Sequence, residues 1–466
     1  MGRSKRSVRL SGSCCRPMQA TSPGRTSGWM AESRAECRAR KRRGSQPMNL
    51  NRRELMKSVG AGALALGTSR STAATTGAIT AKPDFSAIRA DFPRAAENLW
   101  LAAAETHPFS VHTLRAIEGY SQYRALGGLG REGFTPSQQA ETKQMFAVLI
   151  NATPEEIAFV LSTTDGENLV VSGLGLAERG GNVVIDDLHF AASRYLYTAL
   201  ADAGHIELRV VRHKGWKIDV ADMERMIDRD TRLVSMALVS NINGYMHDVR
   251  AISHIAHAHG AYVYADIIQA AGNTAVDVQA MGIDCCACST YKWLMGDFGL
   301  GFLYVRRDLQ GDVIKQTRYG LRQVTQQNGR FVPRPGAAMY EGTTTMPYLP
   351  AVCARQGLKY LTALGVNNIR AHAKRLVDRL QREMTALGYS SITPLDTPTP
   401  IVSFLTPEPE LIQARLDRAF GQRVVSPGRW QMTAVDGAMK TVRGIRIGVS
   451  VYNNDEDIDR FLTALD

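Results

Sequence analysis

The stretch Ala265–Val305 reads ADIIQAAGNTAVDVQAMGIDCCACSTYKWLMGDFGLGFLYV. Three apolar runs within it or just before it have the length of buried β-strands: Ala261–Ala265, Cys285–Ser289 and Gly301–Val305. The first run is followed directly by Asp266, and Lys292 stands three residues after the second. The stretch therefore predicts consecutive strands that carry an acid and an amine just beyond their ends.

Asp266 and Lys292 together suit the chemistry of pyridoxal 5'-phosphate. A lysine amine forms an imine with the aldehyde of this cofactor. A carboxylate beside the pyridine nitrogen keeps that nitrogen protonated, so that the ring can accept electrons. The pair therefore predicts a catalytic lysine at 292 and a ring-binding aspartate at 266.

Short apolar runs alternate with amphipathic stretches from about Lys82 to Val305. Further predicted strands are Glu156–Leu161, Asn182–Ile185, Glu207–Val211 and Leu233–Val239. The predicted helices between strands include Gly166–Ala177, Ala191–Ala203, Asp219–Ile227 and Ala251–His259. This alternation predicts an α/β fold with a mostly parallel sheet and helices on both of its faces.

The pattern changes after Thr343. Helices are predicted at Leu349–Leu364, Val366–Leu387 and Glu410–Ala419, with strands at Ile401–Phe404 and Ile445–Val449. Arg318–Gly336 has the composition of an exposed loop. We therefore expect a large domain at 82–345, whose first residues pack on a small α+β domain at 346–466, and no transmembrane span.

The basic charge is concentrated at the N-terminus. The chain has a formal net charge of +12, of which residues 1–81 contribute +13 and the remaining residues −1. The body of the protein is thus nearly neutral, so the net positive charge of the whole chain is no argument for nucleic-acid binding by the folded part.

Residues 48–81 resemble a twin-arginine export signal. The segment Asn51–Lys57 (NRRELMK) precedes the weakly apolar Ser58–Gly67 and a run of small residues. An export signal is read at an N-terminus, so we expect translation to start at Met48 and residues 1–47 to be an untranslated or disordered leader. A long basic extension of the signal is the alternative. This resemblance implies passage through the twin-arginine export machinery to the periplasm, with the cytoplasm as the alternative location.

Four of the seven cysteines lie in the body of the chain, at Cys285, Cys286, Cys288 and Cys353. The first three share one predicted strand, on which successive side chains point to opposite faces. That arrangement is poorly suited to a tetrahedral metal site. We expect these cysteines to be small buried side chains, and we predict no metal.

Five segments place functional residue types after strands and at the start of helices. They are Thr163–Leu169 (TTDGENL), Asp186–Phe190 (DDLHF), Val239–Gly244 (VSNING), Asp266–Gly272 (DIIQAAG) and Ser289–Gly296 (STYKWLMG). In this order they resemble the motifs of the class V aminotransferase family of fold-type I pyridoxal phosphate enzymes. The resemblance extends from about Asn98 to the C-terminus. It is strongest to the branch that contains isopenicillin N epimerase-like proteins and the cysteine desulfurase/selenocysteine lyase group.

The resemblance assigns a phosphate-binding group. Thr163 and Thr164 open a predicted helix, where backbone N–H groups attract phosphate, although a simple helix cap would also explain these residues. Ser289 and Tyr291 are implied to donate hydrogen bonds to the phosphate, and Lys292 to form the imine.

The resemblance also assigns a ring-binding group. It places Phe190 on the face of the pyridine ring, with His189 as the rival one residue earlier. Asn241 is implied to lie beside the phenolic oxygen, although its segment also has the composition of a plain turn. Asp266 would pair with the pyridine nitrogen, and Gln269 would lie near the phenolic oxygen and the imine.

Three further positions concern the substrate and a second subunit. Arg446, with Arg443 nearby as a rival, matches the family arginine that binds the substrate carboxylate by two guanidinium N–H groups. His107, with Glu105 and Thr106, occupies the segment that lines the substrate entrance. Thr343 matches a segment that reaches the phosphate of the neighbouring subunit in a homodimer, although Met346 departs from that segment's usual small or hydroxyl residue.

One departure bears on the reaction. Cysteine desulfurases use a cysteine on a loop before their last strands, and the corresponding segment Gln422–Gly428 has none. A serine, such as Ser426, cannot form a persulfide. We therefore expect an enzyme acting at the Cα atom of an amino-acid substrate, as an epimerase, a lyase or an aminotransferase. A desulfurase-like lyase without a persulfide cysteine and a non-catalytic binding protein are the alternatives.

Overall fold

The computed structural model describes residues 83–127, 133–433 and 439–465. The predicted leader at 1–47, the start at Met48 and the twin-arginine signal at 48–81 lie outside the described residues. Within the described ranges, no helix combines the length and apolar character needed to cross a lipid bilayer.

A seven-stranded sheet forms the centre of the larger part of the fold. Its strands are β1 (Ile157–Val160), β2 (Asn182–Asp186), β3 (Glu207–Val211), β4 (Thr231–Ala237), β5 (Tyr262–Asp266), β6 (Cys285–Ser289) and β7 (Gly301–Val305). They lie in the order β1-β7-β6-β5-β4-β2-β3. Strands β2 to β6 are parallel to one another, whereas β7 runs antiparallel to both β6 and β1. The predicted α/β fold with a mostly parallel sheet is confirmed.

Helices precede, connect and follow the strands. They are α1 (Phe85–Ile88), α2 (Pro93–Glu97), α3 (Val111–Leu126), α4 (Pro136–Leu149), α5 (Thr163–Leu174), α6 (Leu176–Arg179), α7 (Ala191–Asp202), α8 (Val220–Met226), α9 (Val249–Ala258), α10 (Tyr348–Leu364), α11 (Val366–Ala386), α12 (Pro409–Phe420) and α13 (Asp455–Thr463). Neighbouring residues of one strand enter different core clusters: Cys286 and Cys288 belong to one cluster, and Cys285 and Ala287 to another. The sheet is therefore covered by apolar packing on both faces.

The described cysteines, including Cys353, are free and buried, as expected. Across the described ranges, no group of three or more His, Cys, Asp or Glu side chains is arranged to hold a metal ion.

A second sheet of four antiparallel strands lies in the C-terminal part of the chain. Its strands are β10 (Ser390–Ser391), β11 (Ile401–Leu405), β12 (Ser426–Thr433) and β13 (Met439–Gly448), in the order β10-β11-β13-β12. Backbone hydrogen bonds join the N-terminal segment to this sheet, because Gly448 N donates to Leu101 O at 2.7 Å and Leu101 N to Val424 O at 2.8 Å. This connection brings the residues around Glu105 close to the end of β13.

The Arg318–Gly336 segment differs from the predicted loop. It contains an antiparallel hairpin of β8 (Val324–Gln327) and β9 (Arg330–Pro333). Asn328 and Gly329 form the turn with φ values of 51° and 72°. Asn-Gly accepts two left-handed residues in succession, which is the geometry of a tight hairpin turn. The dipeptide was thus a usable hairpin signal within an exposed segment.

Candidate active site

A cavity of about 190 Å³ lies where β4, β5 and β6 end and α5 begins. Nine of the ten residues predicted to bind the cofactor line it: Thr163, Thr164, Phe190, Asn241, Asp266, Gln269, Ser289, Tyr291 and Lys292. These residues are separated by up to 129 positions in the sequence. Ligands of open α/β sheets bind beyond the carboxyl ends of the strands, which is where this cavity lies.

Thr163 and Ser289 join the start of α5 to the end of β6. Ser289 Oγ accepts a hydrogen bond from Thr163 N at 2.8 Å, and Thr163 Oγ1 accepts one from Ser289 N at 2.9 Å. Gly166 permits this approach, because a Cβ atom there would lie 2.7 Å from the Cβ atom of Ala287. The start of α5 and the end of β6 thus line the cavity with the hydroxyl residues Thr163, Thr164 and Ser289, which suits an anionic group such as phosphate.

Lys292 is buried in this cavity and has a perturbed amine. Burial and the nearby charge of Arg446 lower the pKa of Lys292 to about 8, while the carboxylate of Asp266 acts in the opposite direction. A larger fraction of this amine is consequently neutral near pH 7 than for an ordinary lysine. A neutral amine is the form that attacks a carbonyl carbon.

Asp266 ends β5, and its side chain is nearly inaccessible to solvent. Its Oδ1 atom accepts a hydrogen bond of 2.9 Å from Ile268 N. Burial raises the pKa of Asp266 to about 6, against the effect of that hydrogen bond. A cationic partner would offset the desolvation of this carboxylate, and a protonated pyridine nitrogen is such a partner.

Gln269 is held from both sides. Its Oε1 atom accepts a hydrogen bond of 2.8 Å from Trp293 Nε1, and its Nε2 atom donates one of 3.0 Å to Ala104 O. The amide nitrogen carries a second hydrogen, which remains for an acceptor in the cavity. Trp293, the residue next to Lys292, is thereby fixed to the cavity wall.

Asn241 supplies the test of whether these residues fit the predicted cofactor. Its Oδ1 atom is buried and has no hydrogen-bond partner among the described residues, although the side chain lines the cavity. Buried polar groups are normally hydrogen-bonded, so an unpartnered amide at this position indicates a ligand with a polar atom there. Together with the start of α5 and the carboxylate of Asp266, this unpartnered amide oxygen fits pyridoxal phosphate.

The structure separates the two candidates for ring stacking. Phe190 lines the cavity and is 36% exposed. His189 is buried and directs Nε2 to Ser235 Oγ at 3.0 Å, away from this cavity wall. Phe190 is therefore the aromatic side chain in position to cover a ring in the cavity.

Behind the cavity, His189 belongs to a buried polar network around Glu167. The carboxylate accepts hydrogen bonds from Ser193 Oγ at 2.6 Å, Tyr197 OH at 2.9 Å and Ser235 Oγ at 3.0 Å. Burial acts to raise the pKa of Glu167, but the hydrogen bond and charge of His189 and the hydroxyl donors lower it. Sequence reasoning assigned no role to Glu167, because the partners of its carboxylate are scattered along the chain.

Arg446 lies on β13 and approaches the cavity from the second sheet. Its Nη1 atom donates a hydrogen bond of 2.7 Å to the backbone oxygen of Asn241. Its Nε atom is buried without a partner among the described residues. The rival Arg443 is instead exposed and paired with Glu410. Of the two arginines, Arg446 has guanidinium hydrogens left for a substrate carboxylate near Asn241.

Besides Arg446, which hydrogen-bonds to the cavity residue Asn241 without lining the cavity itself, two predicted residues do not line it. The His107 ring is buried, with Nδ1 2.9 Å from Pro108 O and Nε2 2.9 Å from Ser450 Oγ, and burial lowers its pKa to about 4. Thus the structure gives this ring a packing position beside Tyr452 instead of a place at the substrate entrance. Thr343 is exposed and lies apart from the cavity of its own chain.

Glu105 lies two residues before His107. Of the residues in that segment, it has the contacts and the charge that a site residue would have. Its Oε2 atom accepts a hydrogen bond of 2.7 Å from Ser426 Oγ, and its Oε1 atom pairs with Arg423 at 2.8 Å. Its charge also acts on both Arg446 and Lys292. Ser426 stands in the segment that corresponds to the cysteine-bearing loop of desulfurases. Its hydroxyl is thus hydrogen-bonded to the carboxylate of Glu105.

Comparison with known proteins identifies the family. The model for "Aminotransferase class-V" matches residues 101–461, and the chain belongs to this family. A probable cysteine desulfurase of Methanothermobacter thermautotrophicus is 27% identical over 384 residues, which cover 80% of this chain and 94% of the relative. The uncharacterized aminotransferase YcbU of Bacillus subtilis is 28% identical over 286 residues, covering 61% and 75%.

Solved structures show the same fold. The apo structure of a cysteine desulfurase from Thermococcus onnurineus matches with a TM-score of 0.71 and 24% identity, covering 81% of this chain and 96% of that one. The predicted family, class V aminotransferases, and the predicted cofactor, pyridoxal 5'-phosphate, are confirmed. The reaction and its substrate are finer questions.

Proposed function

We propose that this protein is a pyridoxal phosphate-dependent enzyme that removes the Cα proton of an amino-acid substrate with Lys292 as the base. The observation that carries the proposal is the position of Lys292. Its amine is buried in one cavity with Asp266, a phosphate-binding helix end and an unpartnered Asn241. A protein that merely bound the cofactor would have no need of a lysine with a lowered pKa beside that carboxylate.

Each side chain has a separate task in this proposal. When bound, the cofactor supplies a protonated ring that accepts electrons from the substrate Cα atom. Asp266 keeps the ring nitrogen protonated, and Phe190 covers the ring. Arg446 holds the substrate carboxylate, which orients the Cα–H bond towards Lys292 Nζ. Lys292 then takes the proton and can return it.

The test compares wild-type protein with Lys292→Ala. Wild-type protein should bind pyridoxal phosphate, resist removal of the cofactor by dialysis, and exchange the Cα proton of an amino acid with deuterium from solvent. Lys292→Ala should lose the covalently held cofactor and the exchange. Lys374→Ala, at a half-buried lysine of α11 that pairs with Asp378, serves as the matched control and should retain both properties. Cofactor binding that is unchanged in Lys292→Ala would support a non-catalytic binding protein instead.

A second candidate is a C–S lyase that releases sulfur without a protein persulfide. Relatives named cysteine desulfurase support the release of sulfur. The burial of the four described thiols supports a reaction in which none of them carries the sulfur. Burial raises the pKa of Cys353 to about 12 and that of the three cysteines of β6 well above the ordinary range. None of these four cysteines lines the cavity. A buried neutral thiol is a poor sulfur acceptor.

The two candidates give different products. Incubation with cysteine or cystine should yield pyruvate and a sulfur product if the enzyme is a C–S lyase. Neither iodoacetamide treatment nor Cys353→Ala should slow the reaction by more than about twofold, since no cysteine takes part. Strong inhibition by iodoacetamide would exclude this second candidate, whereas deuterium exchange without pyruvate would favour epimerisation or transamination.

We also propose that the enzyme is a homodimer in which Thr343 of one subunit contacts the phosphate bound by the other. The exposure of Thr343, away from the cavity of its own chain, supports this arrangement. Mixing inactive Lys292→Ala with a Thr343→Val variant of weakened cofactor affinity would then create one fully wild-type site in each mixed dimer. Recovery of about one quarter of wild-type activity in an equal random mixture is expected. No recovery would contradict a contact across subunits.

Finally, we propose export through the twin-arginine machinery to the periplasm, on the order of charge, apolar run and small residues at 48–81. A fusion of residues 48–81 to a reporter that requires twin-arginine export should reach the periplasm. Substitution of Arg52 and Arg53 by lysine should retain it in the cytoplasm. Export that is independent of both arginines would contradict the proposal.

A further inference from the structure

A second cavity of about 670 Å³ adjoins the active-site cavity. Asn241 lines both cavities, so they share a wall at the residue whose carbonyl holds Arg446. The second cavity lies between α7 and β12, and it is much larger than a small amino-acid side chain requires. A substrate whose carboxylate is bound at Arg446 would have room to extend into it.

The charged residues that line this second cavity are of one sign. Three arginines, Arg194, Arg212 and Arg429, line it, and no aspartate or glutamate is among its described lining residues. Arg429 is already compensated, because it forms an ion pair with Glu410. Arg194, which forms no salt bridge with a carboxylate of the described residues, leaves the cavity lining with a positive charge that attracts anions.

Arg194 is held in a manner that leaves its charge for a ligand. Its Nη1 atom donates to the backbone oxygen of Gln431 at 2.8 Å and approaches that of Asp187 at 3.5 Å. The Asp187 carboxylate accepts a hydrogen bond from His213 N at 2.9 Å and interacts electrostatically with Arg194, but Arg194 forms no salt bridge with a carboxylate of the described residues. Two carbonyl oxygens thus fix the guanidinium without neutralising it.

Arg446 and Arg194 therefore form a pair of similar sites. Each guanidinium is anchored by a backbone carbonyl oxygen: Arg446 by that of Asn241, which lines both cavities, and Arg194, in the second cavity, by that of Gln431. One carboxylate of a substrate would bind Arg446, next to the reacting Cα atom. A second carboxylate at the far end of the same molecule would meet Arg194.

We propose that the second cavity binds a distal carboxylate of the substrate, so that the substrate class is an acidic amino acid or a short peptide with a carboxylate at its far end. This inference rests on the proposed function, since it places the reacting Cα atom at Lys292. Arg194 is the specificity-determining residue, with Arg212 contributing positive charge. The aromatic rings of Tyr195 and Trp430, which also line the cavity, pack against the connecting chain.

The first test compares substrates that differ only in the distal charge. Wild-type holoenzyme should exchange the Cα proton of glutamate with a kcat/KM about tenfold or more above that of glutamine. Arg194→Gln should bring this ratio close to one, because it should lower kcat/KM for glutamate at least tenfold more than kcat/KM for glutamine, whereas Arg194→Lys should restore part of the preference. Arg225→Gln, which removes an exposed arginine of α8, should keep the wild-type ratio. 2-Aminoadipate and γ-glutamylglycine measure how far the distal carboxylate reaches.

The second test measures binding without turnover. Calorimetric titration of the holoenzyme with glutarate and with butyrate should show tighter binding of glutarate in wild-type protein and no difference in Arg194→Gln. A glutamate-to-glutamine ratio near one in wild-type enzyme, or a ratio that survives Arg194→Gln, would overturn the inference. Normal exchange of neutral amino acids in that case would leave the proposed function intact, whereas loss of all exchange would count against the proposed function itself.

Discussion

Trp293 donates a hydrogen bond of 2.8 Å from its indole Nε1 atom to Oε1 of Gln269. Both side chains are buried, and Trp293 directly follows Lys292 in the sequence. The same Gln269 side chain is tied to Ala104 in the N-terminal segment. The backbone that carries Lys292 is thus fixed to the end of β5 and to the segment that leads towards the second sheet.

We predict that Trp293→Phe lowers kcat by about tenfold, because a small displacement of Lys292 Nζ impairs proton transfer and because Gln269 Oε1 loses its donor. Cofactor should remain bound, since the phosphate-binding end of α5 is unchanged. Steady-state kinetics and the absorption of bound cofactor measure the two effects separately. Trp100→Phe is the matched control: it removes an indole hydrogen bond of 3.1 Å to Thr106 O outside the cavity, and kcat should be unchanged. An unaltered kcat in Trp293→Phe would contradict a positioning role.

The pH dependence of cofactor capture by the apoenzyme should report the amine of Lys292. The capture rate should rise with pH and reach half its maximum near pH 8, in contrast to the ordinary lysine value of 10.5. Arg446 lowers the pKa of Lys292 and Asp266 raises it. Arg446→Gln should therefore move the midpoint to higher pH, and Asp266→Asn should move it to lower pH. Stopped-flow absorbance gives the rates, and a midpoint that neither substitution moves would exclude this electrostatic coupling.

The residues that meet in the active-site cavity were predicted from the sequence, Asp266 and Lys292 by their chemistry and the others by the resemblance of their motifs to the class V family. Thr163, Asp266 and Lys292 stand directly after strands or at a helix start, where the end of a parallel sheet brings such residues together. His107 was placed less well, because its position depends on Ser450 and Tyr452 in the distant second sheet. Sequence spacing carries no information about that contact.

The anchoring of Arg194 could not be predicted for a similar reason. Its partner Gln431 lies 237 residues away on β12, a strand that the sequence pattern did not reveal. Strand β12 begins with Ser426, Pro427, Gly428 and Arg429, so its first half lacks the apolar alternation by which a strand is recognised. The long-range pairing with β13 stabilises it instead.

The Glu167 network should contribute to stability in a defined pH range. Burial acts to lower the pKa of His189, but Glu167 and other carboxylates raise it above 6.5, while Glu167 has a pKa below 4.5. The contribution of His189 is complete below 6.5 and is lost as the pH rises through its folded-state pKa. The contribution of Glu167 is complete above 4.5 and is lost as the pH falls through its own.

We therefore predict that Glu167→Gln lowers the free energy of unfolding by about 3 kcal/mol at pH 5.5, because it leaves a buried histidine without its anion. It should also flatten the dependence of stability on pH. Tyr197→Phe removes only one hydrogen bond to the same carboxylate and should cost about 1 kcal/mol. Denaturant titrations between pH 4.5 and 8 provide the comparison. Equal losses in the two variants would show that the charge pair adds nothing beyond hydrogen bonding.

The close contact of α5 with β6 should control both stability and cofactor affinity. A Cβ atom at Gly166 would lie 2.7 Å from the Cβ atom of Ala287, so Gly166→Ala must push the start of α5 away from the sheet. We expect a loss of about 1–3 kcal/mol in the free energy of unfolding and a weaker affinity for pyridoxal phosphate. Gly119→Ala in α3 is the matched control, because nothing lies within 4 Å of its new Cβ atom, and it should stabilise the protein by about 0.5–1 kcal/mol.

The double variant Gly166→Ala/Ala287→Gly separates this steric contact from other effects of the substitution. Removing the methyl group of Ala287 makes room for the one added at position 166, so the double variant should recover cofactor affinity relative to Gly166→Ala alone. Equilibrium titration of the apoenzymes with pyridoxal phosphate measures the recovery. If Ala287→Gly fails to restore the affinity for pyridoxal phosphate, the distance between α5 and β6 does not determine how the start of α5 binds the phosphate.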